Sequence, residues 1–128
     1  ISDEELVDLM GSAEVACVPS LYEGFSLPTA ELMACATPLV VSRAGAIPEV
    51  VGPDGLCADL VTPGDVGELK AALEQMLDDP ERRARMGAAG RERVLEMFSW
   101  RAVAVKVAAA YESVIADFHR TPTTKDPR

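Results

Sequence analysis

Two carboxylates, Glu23 within it and Glu31 just after it, accompany a short stretch that could hold an anion, Ser20-Leu-Tyr-Glu-Gly-Phe-Ser-Leu-Pro28. Gly24 allows the backbone to come close to a ligand. The amides of Gly24, Phe25, Ser26 and Leu27 lead into a helix expected at Pro28, and free amides at a helix N-terminus attract a charged group such as a diphosphate. Carboxylates beside such a site would repel the phosphates, so their use must lie elsewhere. An ionised carboxylate is acceptor-only and pairs well with vicinal hydroxyls. A ligand that offers a diphosphate together with two sets of diols is a nucleotide sugar, with one glutamate on the ribose and the other on the sugar ring. The helix dipole by itself also favours a glutamate in a first turn, so these residues alone leave both explanations standing.

The glutamates need elements to hold them. Val15–Pro19 is a short apolar run that predicts a buried parallel strand. Pro28 suits the first turn of a helix over Thr29–Cys35. Pro38–Ser42 reads as a second buried strand, followed by a second loop, Ser42-Arg-Ala-Gly-Ala46, in which Gly45 is the flexible position. Ile47–Val51 forms a short helix that Glu49 helps to start, Gly52–Gly55 a turn, and Cys57–Val61 a third strand. Ahead of them Ser2 caps an acidic helix over Asp3–Met10 that Gly11 ends. Behind them Asp65 and Glu68 cap a helix with Leu69, Leu73, Met76 and Leu77 on one face. Asp79-Pro80-Glu81 restarts a basic helix, Arg82–Met97, whose arginines read as a solvated face. Ser99 caps a last helix with an apolar stripe through Trp100, Val103, Val107, Tyr111, Val114 and Phe118. Strands alternating with helices predict an α/β fold, a Rossmann-like parallel sheet with flanking helices. In such a sheet ligands bind at the carboxyl ends of the strands, where both loops lie.

The 128 residues suffice for one α/β layer set. The chain opens at Ile1, and a sheet of three strands leaves an edge open, so we expect a longer polypeptide with further strands ahead. The net charge is −9, from 12 Lys and Arg against 21 Asp and Glu, which argues against nucleic acid as a partner. No Lys or Arg precedes Arg43. Any positive potential at the first loop must therefore come from backbone amides or from elsewhere in the polypeptide. Arg43 itself reads as a surface ion-pair partner rather than a phosphate ligand. Cys17, Cys35 and Cys57 show neither a metal spacing nor an even disulfide set. Buried, reduced thiols fit a cytoplasmic protein, at most peripheral at a membrane. No apolar run approaches the ~20 residues of a membrane span. The tail, residues 119–128, is rich in Thr and Pro and is expected to be disordered.

The stretch Val18-Pro-Ser-Leu-Tyr-Glu-Gly-Phe-Ser-Leu-Pro-Thr-Ala-Glu-Leu-Met-Ala-Cys-Ala-Thr-Pro-Leu-Val-Val41 resembles the Glu-x7-Glu signature of glycosyltransferase family 4, whose fold is GT-B. The likeness continues through Ala44–Val51, Asp54-Gly55, Val61–Asp65, Met86-Gly87, Gly90–Val94, Phe98-Ser-Trp100 and Tyr111. The resemblance implies that residues 1–118 are part of the C-terminal nucleotide-sugar-binding domain of a retaining, metal-independent transferase. Helix 99–118 would then be the one that crosses back to the N-terminal domain. It implies that Glu23 meets hydroxyls of the transferred sugar at the reacting face, the catalytic position. Glu31 would accept from the ribose hydroxyls, and Gly24, Phe25, Ser26, Leu27 and Gly45 would complete the donor site. It implies no cofactor, with a nucleoside diphosphate sugar as the substrate and a sugar or lipid-linked acceptor as the second. The cations that grip the diphosphate would lie ahead of Ile1, in agreement with the early shortage of Lys and Arg.

The sequence departs from the family pattern at Ser26 and Ala36, where many relatives carry glycine, and at Ala44-Gly45-Ala46, where a Gly-Gly pair is usual. Ser26 is expected to have ordinary backbone angles, Ala36 to reflect a packing change, and the alanines to narrow access to the sugar. Three alternatives stand beside the transferase: a GT-B disaccharide phosphorylase, a nucleotide-sugar epimerase, and a non-catalytic module that pairs with itself through the exposed sheet edge and the apolar helix stripe.

Overall fold

The computed structural model describes residues 1–120. Three strands, β1 (Ala16–Val18), β2 (Leu39–Ser42) and β3 (Ala58–Val61), form one parallel sheet in the order β1-β2-β3. The register pairs Cys17 with Val40 and Val40 with Asp59. Parallel neighbours need a crossover, and α2 (Leu27–Ala34) and α3 (Ile47–Val51) supply the two crossings. Around them lie α1 (Asp3–Ser12), α4 (Val66–Asp78), α5 (Pro80–Phe98) and α6 (Trp100–Arg120).

Side chains of β2 alternate between two apolar layers, as the two-residue period of a strand demands. Leu39 and Val41 pack with Met33, Ile47, Val51, Leu60 and Val94. Val40 faces the other way, onto Val61, Met76 and Met86. All four residues of β2 and of β3 are buried. β1 differs from expectation: Ala16 and Val18 are half-buried and Cys17 is exposed, whereas β3 at the other edge is covered by α4. Cys35 is half-buried and only Cys57 is fully enclosed, so the three thiols are not uniformly buried.

The caps explain the helix boundaries. Ser2 and Glu5 close a reciprocal capping box at the start of α1. Gly11 lies inside that helix, which stops at Ser12 instead. Asp65 accepts from the Glu68 amide, Asp79 from the Arg82 amide and Ser99 from the Ala102 amide. The C-terminus of α2 is a Schellman turn: the Thr37 amide bonds Leu32 O at 3.0 Å and the Ala36 amide bonds Met33 O at 3.0 Å. Ala36 has φ 59°, so this position asks for a left-handed backbone and does not reflect packing alone.

Helix α5 ties the layers together: Arg85 and Arg91 are exposed as expected of a solvated face, but Arg82, Arg83 and Arg93 are half-buried and correct that expectation. Arg91 donates to Ala34 O at the end of α2. Arg93 donates to Val50 O at 2.8 Å and Glu49 O at 2.9 Å, at the end of α3. Arg83 reaches Met76 O and Leu77 O at the end of α4. Cations there satisfy the orphan carbonyls and complement the negative end of each dipole. Arg82 pairs with Asp59 of β3 at 2.6 Å. Burial pushes the Asp59 carboxyl above its ordinary value, Arg82 pulls it back, and nearby Asp54 adds to the rise. Gly87 lets α5 lie against the Schellman turn, where a Cβ would stand 2.1 Å from Ala36 O.

α6 continues past the expected tail boundary, with His119 and Arg120 in its last turn. Residues 121–128 of the expected disordered tail lie outside the described residues. No residue of α6 is buried, and Trp100, Tyr111, Val114 and Phe118 are all well exposed. No helix among the described residues is long and apolar enough to cross a membrane.

Candidate functional site

Because the sheet is parallel, the loops leaving β1, β2 and β3 emerge at one edge. They touch there. The Ala46 amide of the second loop donates to Glu23 O of the first at 3.1 Å. Gly45 makes that approach feasible: its φ is 52°, and a Cβ would stand 1.9 Å from Glu23 O. Leu21 lies near Gly64 of the third loop, whose Cβ would come within 3.8 Å of the Leu21 side chain. Of the two alanines beside Gly45, Ala44 is buried at 4 % exposure, so its methyl belongs to the core and not to the loop mouth.

The first loop is held from several sides. Glu23 is half-buried, and its Oε1 accepts from Ser20 Oγ at 2.8 Å. Phe25 meets Phe98, at the end of α5, edge to face with centroids 5.3 Å apart. Ser26 is the N-cap of α2 with φ 72° and ψ 74°, a left-handed conformation that contradicts the ordinary angles expected of it. The strain is tolerated because Ser26 is buried and its hydroxyl bonds Thr29 Oγ1 at 2.8 Å. That bond goes to another side chain, so no side chain caps the first-turn amides of α2. Those amides, Leu27 and the exposed Gly24 stand beside Glu23 at the sheet edge. Glu31, one turn into α2, is exposed, and its carboxylate has no partner among the described residues. Arg43 pairs with Asp54 at 3.0 Å and both are about half exposed, in keeping with a surface role. Glu49 sits in the first turn of α3.

The arrangement can therefore do two things. It can accept hydrogen bonds at two carboxylates, and it can offer backbone donors at a helix N-terminus without a side-chain cation. Ser20 is the residue that sequence reasoning passed over. Its signal was present, since Ser20-Leu-Tyr-Glu23 has the Ser-x-x-Glu spacing that closes the capping box at Ser2 and Glu5.

A parallel α/β unit with ligand-accepting loops at the carboxyl edge is the class that this fold and site define. Residues 1–93 match the family "Glycosyl transferases group 1", and the chain belongs to it. It is 62% identical over 116 residues to an MMP alpha-(1->4)-mannosyltransferase of Mycolicibacterium hassiacum, covering 91% of this chain and 28% of that protein. It is 38% identical over 112 residues to O-antigen chain mannosyltransferase B of Escherichia coli, covering 88% of this chain and 28% of that one. Among solved structures, sucrose-phosphate synthase of Thermosynechococcus elongatus superposes with a TM-score of 0.80 at 37% identity, over 91% of this chain and 29% of the other. The chain thus spans under a third of the length of these relatives.

Proposed function

We propose that the chain is one wall of the donor site of a retaining, metal-independent family 4 glycosyltransferase, within the C-terminal nucleotide-sugar-binding domain of a GT-B enzyme. The observation that carries this is the latch between the first two loops, which brings Glu23 to the sheet edge beside the uncapped start of α2. Glu23 accepts from hydroxyls of the transferred sugar and Glu31 from the ribose. The backbone of Gly24, Phe25, Ser26 and Leu27 faces the sugar and the diphosphate, and Gly45 sets the spacing. Neither glutamate is a general acid or base. Glu23 is counted catalytic because it touches the reacting sugar and orients it.

The remaining strands, the cations for the diphosphate and the acceptor domain belong to the rest of the polypeptide, which acts in the cytoplasm on a sugar or lipid-linked acceptor. Retention and metal-independence rest on the resemblance to family 4. The free thiols support the location.

The test is a transfer assay on the whole polypeptide with a panel of nucleoside diphosphate sugars. The panel starts with mannose, because the 62% identical relative is a mannosyltransferase. The expected result is release of the nucleoside diphosphate with retained anomeric configuration. An inverted product, or transfer to orthophosphate in preference to a sugar acceptor, would overturn the assignment. The 128-residue chain alone should show no turnover.

A further inference from the structure

We propose that Ser20 is a positioning residue for Glu23, holding one carboxylate oxygen so that the other is presented to the transferred sugar. This rests on the role given to Glu23 above and adds a residue to it. The main chain of Glu23 is already fixed from the second loop, by the Ala46 amide and by the missing Cβ of Gly45. That contact leaves the side-chain torsions of Glu23 free. The Ser20 hydroxyl supplies the second restraint, at 2.8 Å to Oε1 in a part-buried setting. Ser20 is itself anchored, since it follows Pro19 directly after β1. Two restraints from different loops thus converge on one residue, the second loop on its main chain and Ser20 on its carboxylate.

The chemistry of the partner matters. A long side chain such as Glu loses rotamer freedom when it is immobilised by a ligand, and a restraint present before binding removes part of that cost. A Lys or Arg in the place of Ser20 would orient the carboxylate but also neutralise it and compete for its lone pairs. A hydroxyl donates one hydrogen bond and leaves most of the acceptor capacity for sugar diols. No cation among the described residues pairs with Glu23. The charge that polarises toward the sugar is kept, and only its direction is set.

A purely structural Ser20 would close the loop and do nothing else, so the test must separate the sugar from the nucleotide. In the whole polypeptide, Ser20→Ala and Ser20→Thr are compared with the wild type in three measurements: kcat and KM for the nucleotide sugar, affinity for the bare nucleoside diphosphate, and thermal midpoint. Loss of a hydrogen bond to a charged group predicts that Ser20→Ala lowers kcat/KM for the nucleotide sugar about tenfold. Affinity for the bare nucleoside diphosphate should stay at the wild-type value, and Ser20→Thr, which keeps the hydroxyl, should recover most of the loss. If Ser20→Ala retains wild-type kcat/KM, or loses affinity for the bare nucleotide in step with its thermal midpoint, the positioning role is overturned. A wild type that turns over no nucleotide sugar at all overturns the donor-site assignment, and this role with it. A wild type that transfers while Ser20→Ala matches it overturns this role alone.

Discussion

Ser26 and Ala36 share a left-handed backbone, with φ 72° and 59°, and yet they are not equivalent. A non-glycine residue there costs about 1–2 kcal/mol, while a glycine returns roughly 0.4–1 kcal/mol through the greater freedom of the unfolded chain. Ala36→Gly gives up one half-buried methyl and no side-chain hydrogen bond, and should stabilise the chain by about 0.5 kcal/mol in urea unfolding. Ser26→Gly gains the same relief but leaves Thr29, fully buried, without its 2.8 Å partner. An unsatisfied buried hydroxyl costs about 1–3 kcal/mol, so that variant should be destabilised by about 1 kcal/mol. Gly45 is the opposite case. With a Cβ placed 1.9 Å from Glu23 O at φ 52°, Gly45→Ala should cost about 2–3 kcal/mol and lower sugar transfer, read by unfolding and by kcat/KM. At this scale the placement of Glu23 in the loop after β1 and of Glu31 in α2 was legible, because Pro28 and the apolar runs around them are local signals. The backbone angle at Ser26 was not, since a serine gives no hint that φ is positive. The contact at Gly45 joins loops that are distant in sequence, and no local pattern encodes it.

The nine helices and strands were nearly all legible as elements among the described residues, because caps and hydrophobic periods are local. Ser2, Asp65 and Ser99 each start a helix where a capping side chain stands in the sequence. What α5 does was not legible. Arginines at positions 83, 91 and 93 read as solvated on a helical wheel, and only the fold brings the ends of α4, α2 and α3 within their reach. The pair of Arg82 with Asp59 is of the same kind, and it has a titration consequence. Burial raises the Asp59 carboxyl above the usual value of about 4. Between that value and the raised one the folded chain holds a proton that the unfolded chain has released. Stability attributable to Asp59 is therefore fullest below about pH 4 and falls as the pH rises through the folded pKa. Against Asp59→Asn, which lacks this proton, the wild type should lose ground in urea midpoint as pH rises upward from about 4. A difference that stays flat or moves the other way would contradict the assigned shift.

As a whole molecule, the chain is a layered α/β unit whose last helix is unsatisfied. The stripe along α6 was legible from its spacing, and within the described residues nothing covers it: Trp100 is 92% exposed and Phe118 78%. Exposed apolar surface of this kind favours association. In isolation the 128-residue chain should sediment as a concentration-dependent oligomer, and Tyr111→Glu with Val107→Glu should return it to a monomer. The same scale carries the central claim, that this chain is one wall of a nucleotide-sugar site. Family membership and the parallel sheet place the loops, but the glutamates must be shown to meet hydroxyls. The most direct measurement is a double cycle in the whole polypeptide, crossing Glu31→Gln with removal of the ribose hydroxyls. Affinities of wild type and variant would be measured for the best-bound of UDP, GDP and ADP and for its 2′,3′-dideoxy form. If Glu31 accepts from the ribose, each single change weakens binding and the two together cost little more than either alone. Fully additive losses, or a Glu31→Gln variant that binds both nucleotides as the wild type does, would contradict the account.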